Sequence, residues 1–152
     1  MAWGGMVLLM GMASMGCAPS EQEAPREEEM EVLDVLHDFF QALEAREQFR
    51  MSTLLHPQAT ITRVKLEGDA LEIGAAPKEE WLQGVSPEGP PLIEQLHDPV
   101  VQCSGRFADV WAAYDFRIGE ELSHCGYDAF QLVKEADGWR ILGITYTIES
   151  CD

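Results

Sequence analysis

Between Arg106 and Cys151 the chain reads RFADVWAAYDFRIGEELSHCGYDAFQLVKEADGWRILGITYTIESC. Three runs rich in aromatic and β-branched residues are separated by two short turn signals, Gly119-Glu120 and Asp137-Gly138. An aspartate-glycine pair tolerates the positive φ angles of a tight hairpin turn, so the segment is expected to form an antiparallel three-stranded meander. A meander makes neighbours of residues distant in sequence, and its register decides which side chains share a face.

With Gly119-Glu120 as a two-residue turn, Asp115 should face His124, Trp111 face Asp128, Tyr114 face Cys125 and Ala112 face Tyr127. Strand alternation then sorts the meander into two surfaces. One carries Asp109, Trp111, Asp115, His124, Asp128, Phe130, Gly143, Thr145 and Thr147. The other carries Ala112, Tyr114, Phe116, Cys125, Tyr127, Leu142, Ile144, Tyr146 and Ile148. A one-residue bulge in either turn would exchange these assignments.

The rest of the chain is shorter-ranged. From Met30 to about Arg46, Val32, Leu36, Phe39, Phe40 and Leu43 recur at helical spacing, which predicts an amphipathic helix. A second helix is expected from Glu47 to Leu55, stopped by Pro57. Ala59–Val64 and Ala70–Ile73 read as short strands around Gly68-Asp69, and Pro77 opens a helix, PKEEWLQGV, with acids in its first turn. A Pro/Gly loop covers Ser86–Pro91. Leu92–Cys103 reads as a strand bulged near Asp98-Pro99.

The segments FFQAL, LLHPQATIT, FADVWAAYDF, SHCGYDAFQLV, DGWRI and ITYT together resemble an NTF2-like (SnoaL-like) domain over residues 30–152. The resemblance implies an α+β fold: a cone in which N-terminal helices pack on a curved, mainly antiparallel sheet, with a pocket at the wide end and homodimers formed through the sheet. The family spans isomerases, dehydratases, epoxide hydrolases, carriers and silent binding modules, so fold alone names no reaction.

Two readings of the meander follow. In one, Asp115 orients His124 as a general base and Asp128 serves as a second acid or polar anchor, which suits proton abstraction or dehydration on a small apolar substrate. In the other, that polar surface is the outside of the sheet, and the apolar surface meets the helices. The pocket is then walled by Tyr114, Tyr127 and Tyr146 opposite Phe39 and Phe40, for a small and largely apolar ligand. Each tyrosine is also open to ordinary core packing. Arg63 is a candidate for an anionic ligand group or a surface ion pair. His56 reads as a turn residue, and His37 and His97 as solvated.

The first sixteen residues, MAWGGMVLLMGMASMG, carry no charged side chain, although the whole 152-residue chain has a formal charge of -17 from 10 Lys and Arg against 27 Asp and Glu. A short apolar run ending in small residues reads as a signal peptide over 1–16. Ser14-Met15-Gly16-Cys17 resembles the bacterial lipobox, which implies lipidation of Cys17. The alternative is a buried N-terminal helix with an incidental cysteine. Residues 17–29, rich in Glu and Pro, read as a disordered acidic tether. The resemblance, with Ala18 after the cysteine, implies an outer-membrane lipoprotein facing the periplasm; a secreted or periplasmic soluble protein is the alternative. The membrane would be met only through the lipid.

In such an oxidising compartment the remaining cysteines can pair. If Asp137-Gly138 is a two-residue turn, Cys125 lies opposite Ser150 and next to Cys151, on strands about 5 Å apart. Cys125–Cys151 is therefore the expected disulfide, with Cys103 free and buried. The acidic surface and the lack of a Lys/Arg cluster argue against nucleic acid as a partner. No Cys/His spacing resembles a metal site, and no phosphate-binding glycine loop or nucleophile elbow suggests a cofactor or covalent catalysis.

Overall fold

The computed structural model describes residues 26–151. The expected signal peptide, Cys17 and most of the expected tether lie outside these residues. Helix α1 (Glu27–Glu44) starts three residues before the expected Met30, because Glu27, Glu28 and Glu29 sit in its first turn, where acids suit the helix dipole. The Glu29 carboxylate also accepts a hydrogen bond from the Arg26 backbone N–H at 3.2 Å. Val32, Leu36, Phe39 and Leu43 form the buried stripe of α1, each contributing roughly 1.5–3 kcal/mol by leaving water.

Helix α2 (Gln48–Leu54) leads into β1 (Leu55–Glu67), which turns at Gly68, φ +58°, into β2 (Ala70–Pro77). Both strands extend past the expected Ala59–Val64 and Ala70–Ile73. Pro77 is the N-cap of α3 (Lys78–Gly84). Next come β3 (Leu92–Ser104), β4 (Phe107–Ile118), β5 (Glu121–Glu135) and β6 (Gly138–Ile148). The sheet order is β2-β1-β6-β5-β4-β3, antiparallel except where β1 runs parallel to β6. The expected α+β architecture is what the chain adopts.

The bulge expected near Asp98-Pro99 is there: the β3–β4 register shifts between His97 and Val100, and Asp98 takes φ +46°. The meander is there too, but two further bulges change its faces. Gly119-Glu120 is the β4–β5 turn as expected, yet Phe116 pairs with His124 while Arg117 pairs with Leu122, so Ser123 is an extra residue. From that point every partner is displaced by one: Asp115 pairs with Cys125, Tyr114 with Gly126 and Ala112 with Asp128. The β5–β6 turn is formed by Ala136-Asp137 rather than Asp137-Gly138, and a second extra residue, Leu142, follows.

The consequence is a mixed inner face. Ala112, Tyr114 and Phe116 of β4 and Ile144, Tyr146 and Ile148 of β6 face the helices, as the apolar-face reading expected. From β5, however, His124, Asp128 and Phe130 point inward in place of Cys125 and Tyr127. Beneath α1 and α3 the core is closed by Val110, Phe130, Leu132, Ile141 and Ile144. Trp139 Nε1 and Lys134 Nζ both donate to Glu31 Oε2, at 3.0 and 2.6 Å, tying α1 to the far end of the meander.

Cys125 and Cys151 form the expected disulfide, with Cα atoms 5.2 Å apart. Cys125 lies opposite Glu149 rather than Ser150, which follows from the shifted β5–β6 register. Cys103 carries a free thiol and is only partly buried. Just beyond Cys125, Gly126 is pressed against β6: a β-carbon there would sit 2.2 Å from the Thr147 carbonyl oxygen. That carbonyl accepts a hydrogen bond from the Tyr114 hydroxyl at 2.6 Å, so three strands meet at one backbone oxygen.

Candidate functional site

The open end of the cone holds a cavity of about 260 Å³. Helices contribute Phe39, Leu43 and Trp81 to its wall, and Val85, just past the end of α3, adds to it. The sheet contributes Ile61, Leu92, Phe116, Phe130, Ile144, Tyr146 and Ile148. Phe39 stacks on Trp81 with ring centroids 6.0 Å apart, which joins α1 and α3 in the helical wall. Four polar groups interrupt this lining: Arg63, Glu94, His124 and Asp128.

Glu94 and Asp128 meet across β4. Glu94 pairs with Phe116 in the β3–β4 ladder and Asp128 with Ala112 in the β4–β5 ladder, which puts both on the inner face, and both line the same cavity, where each perturbs the other. Asp128 is 1% exposed, and its Oδ2 has no hydrogen-bond donor among the described residues. Burial pushes the Asp128 carboxyl up to about 7 against a hydrogen bond with Glu94 that favours its ionised form. Burial, then the charge of Asp128, holds the Glu94 carboxyl well above the usual range. Two buried carboxyls facing one apolar cavity resist ionising together, so the pair holds its protons to higher pH than either acid would in water.

His124 is half-buried, stacked on Phe116 at 4.9 Å and edge-on to Tyr114 at 5.8 Å, with Nδ1 3.0 Å from the Ser123 hydroxyl oxygen. Burial lowers its pKa, so the ring is neutral at pH 7. The expected Asp115–His124 pair does not form. Asp115 lies on the outer face, where its Oδ1 is 2.5 Å from His97 Nε2 and its Oδ2 is 3.4 Å from Arg117. The Ser123 bulge separates the two by turning β5 over. Carboxylate support of the imidazole, and the raised basicity it would bring, are therefore absent.

The tyrosines divide. Tyr146 lines the cavity, and burial raises its pKa. Tyr114 is buried beneath it as core, spending its hydroxyl on Thr147. Tyr127 points outward, 45% exposed, and stacks on the exposed Trp111 at 5.3 Å. Phe40 stands behind the wall, edge-on to Phe130 at 5.8 Å. Arg63 reaches the cavity rim opposite Tyr146 but is held by Glu72 at 2.6 Å. His56 makes a local turn contact, its Nδ1 accepting from the Gln58 N–H. Glu94 is the functional group that sequence reasoning missed. The available signal was parity, since it shares an inward register with Leu92 and Leu96 on β3.

The family model described as "Putative lumazine-binding" matches residues 27–147. Solved structures share the fold at low identity. A "putative aromatic ring hydroxylase" from Novosphingobium aromaticivorans superposes with a TM-score of 0.66 at 15% identity, covering 85% of this chain and 94% of that one. A "putative dehydratase" of the NTF2-like family from Streptomyces avermitilis gives 0.62 at 17%, covering 80% and 96%. A protein with a cystatin-like fold from Nostoc punctiforme gives 0.63 at 13%, covering 79% and 90%. No curated protein matches the chain.

Proposed function

The chain belongs to this lumazine-binding-like family of NTF2-like domains, and on that footing we propose that its cone binds one small, largely apolar molecule. The observation that carries the reading is the cavity of about 260 Å³ with aromatic walls and a few convergent polar groups. Its size lies just under the ~300 Å³ where ligand pockets usually begin, which suits a single ring or a short branched chain. Labelling the isoleucine methyls of the full chain and adding benzyl alcohol tests it. Saturable shifts confined to Ile61, Ile144 and Ile148 are expected, and shifts scattered over the outer sheet face would sink the reading.

A second reading is a cofactor-independent lyase or isomerase. The convergence of a neutral His124 with the Glu94–Asp128 pair in one cavity supports it, because a proton acceptor and a proton donor then coexist near pH 7. In this version the Glu94–Asp128 pair is the acid, as expected of Asp128, and Asp115 takes no part. Deuterium uptake beside the carbonyl of phenylacetone in D2O, abolished by Asp128→Asn, separates turnover from binding alone.

Residence in the bacterial envelope, with Cys17 lipidated and the domain facing the periplasm, is part of the same proposal; a soluble periplasmic or secreted form is its alternative. The Cys125–Cys151 disulfide supports an oxidising compartment. The exposed Trp111–Tyr127 stack, with Val100 beside it, supports a homodimer through the outer sheet face, which is also what a purely structural envelope module would use.

A further inference from the structure

The cavity carries two acids that the binding reading leaves unanswered. Glu94 and Asp128 present converging carboxyls to an otherwise apolar wall, where burial makes their ionisation costly unless a positive charge arrives. Among the described residues neither carboxyl has a salt-bridge partner, and Asp128 Oδ2 is enclosed without any donor. The groups facing the pair from the other strands do not neutralise it. Tyr114 on β4 has given its hydroxyl to Thr147, and Tyr146 on β6 is an uncharged phenol. His124 on β5 is held neutral by burial. Arg63 on β1, the one permanent cation on the wall among the described residues, is already paired with Glu72 at 2.6 Å.

Charge decides which occupant fits. A purely apolar molecule would desolvate an ionised carboxyl and give it nothing in return. An anion would add a second negative charge to a buried one. A protonated amine does the opposite: its N–H groups supply the missing donors, its charge answers the pair's, and the aromatic lining of Phe39, Trp81, Phe116 and Tyr146 suits its hydrocarbon body. The field of the whole chain, formally -17, favours the same sign.

We infer that the cavity selects small organic monocations, amines carrying one aromatic ring or short hydrocarbon body, with the ammonium seated on the Glu94–Asp128 pair. The inference rests on the binding reading and narrows it to one ligand class.

Three near-isosteric probes separate the two claims: benzylamine, benzyl alcohol and benzoate, titrated calorimetrically into the full chain at pH 7.5 and 150 mM salt. Benzylamine should bind at least tenfold more tightly than benzyl alcohol, with benzoate showing no heat. Glu94→Gln combined with Asp128→Asn should bring benzylamine down to the affinity of the alcohol, and each single replacement should retain part of the preference. Equal affinity for amine and alcohol would overturn the cation preference while leaving the binding reading standing. So would tight benzoate binding. A preference that survives the double replacement would assign the selectivity to surface charge and overturn the seat. No binding by any probe would overturn both claims.

Discussion

Asp128 is the residue on which the site turns, and its environment has a measurable consequence for stability. Its folded pKa, about 7, lies above the ~3.9 of an unfolded aspartate, so folding favours the protonated form. The stability it contributes is therefore complete near pH 4 and is lost as pH rises to and through 7. Urea unfolding at pH 5.0 and 8.5 should show the parent losing on the order of 1–4 kcal/mol over that interval. Asp128→Asn, which cannot ionise, should shrink the loss to the part carried by the buried Glu94 and be the more stable protein at pH 8.5. Parallel slopes for the two proteins would rule out a buried carboxyl with a raised pKa. His124 and Asp128 were legible in the sequence as chemistry-bearing residues on one strand. Glu94 was not, because an acid in the run Leu92-Ile93-Glu94-Gln95-Leu96 looks like any surface acid until β4 brings it over Asp128.

At the scale of elements, turns and bulges differed in legibility. Turns announce themselves through residues that accept positive φ, and Gly119, at φ +63°, ends β4 where expected. The β3 bulge was also visible, because proline cannot donate to the ladder and Asp98 precedes it. Ser123 and Leu142 carry no such mark; either residue is ordinary in a strand, and only the closed pairing of β4, β5 and β6 requires them to be extra. The disulfide survived the shifted register because the chain leaves the sheet after Glu149, the residue opposite Cys125, so Cys151 can reach Cys125 without sitting opposite it. Its removal is expected to act locally as well as globally. Closing a separation of 26 residues is worth roughly 3 kcal/mol on loop-entropy grounds. Cys125→Ser with Cys151→Ser should therefore lower stability by about that amount, and amide exchange should quicken first at Tyr146–Ile148, the end of β6 on the cavity wall. Unchanged exchange there would show that the ladder alone holds the strand.

The whole molecule sets a net charge against an apolar outer face. Val100, Trp111 and Tyr127 lie 55%, 53% and 45% exposed on the sheet surface away from the helices, the surface through which the proposed dimer would form. Two chains of like charge repel, so dimerisation through that face should strengthen with salt. Light scattering after gel filtration should show a larger dimer fraction at 0.5 M than at 0.05 M salt, and Trp111→Lys should remove it at both. A monomer at every ionic strength would leave the stack without that role. The architecture was legible at this scale because two hydrophobic periods, 3.6 and 2, divide the chain cleanly into helices and meander. Which surface of the meander the cone encloses was not, since that depends on one uncounted residue. Ser123 thus works like an inserted letter in a reading frame. The pairing first inferred from the turn is the pairing of a chain one residue shorter, with Cys125 and Tyr127 inside and the acid pair broken up. For this strand, loss of a single residue would rewrite every position after it, whereas most substitutions would change only one.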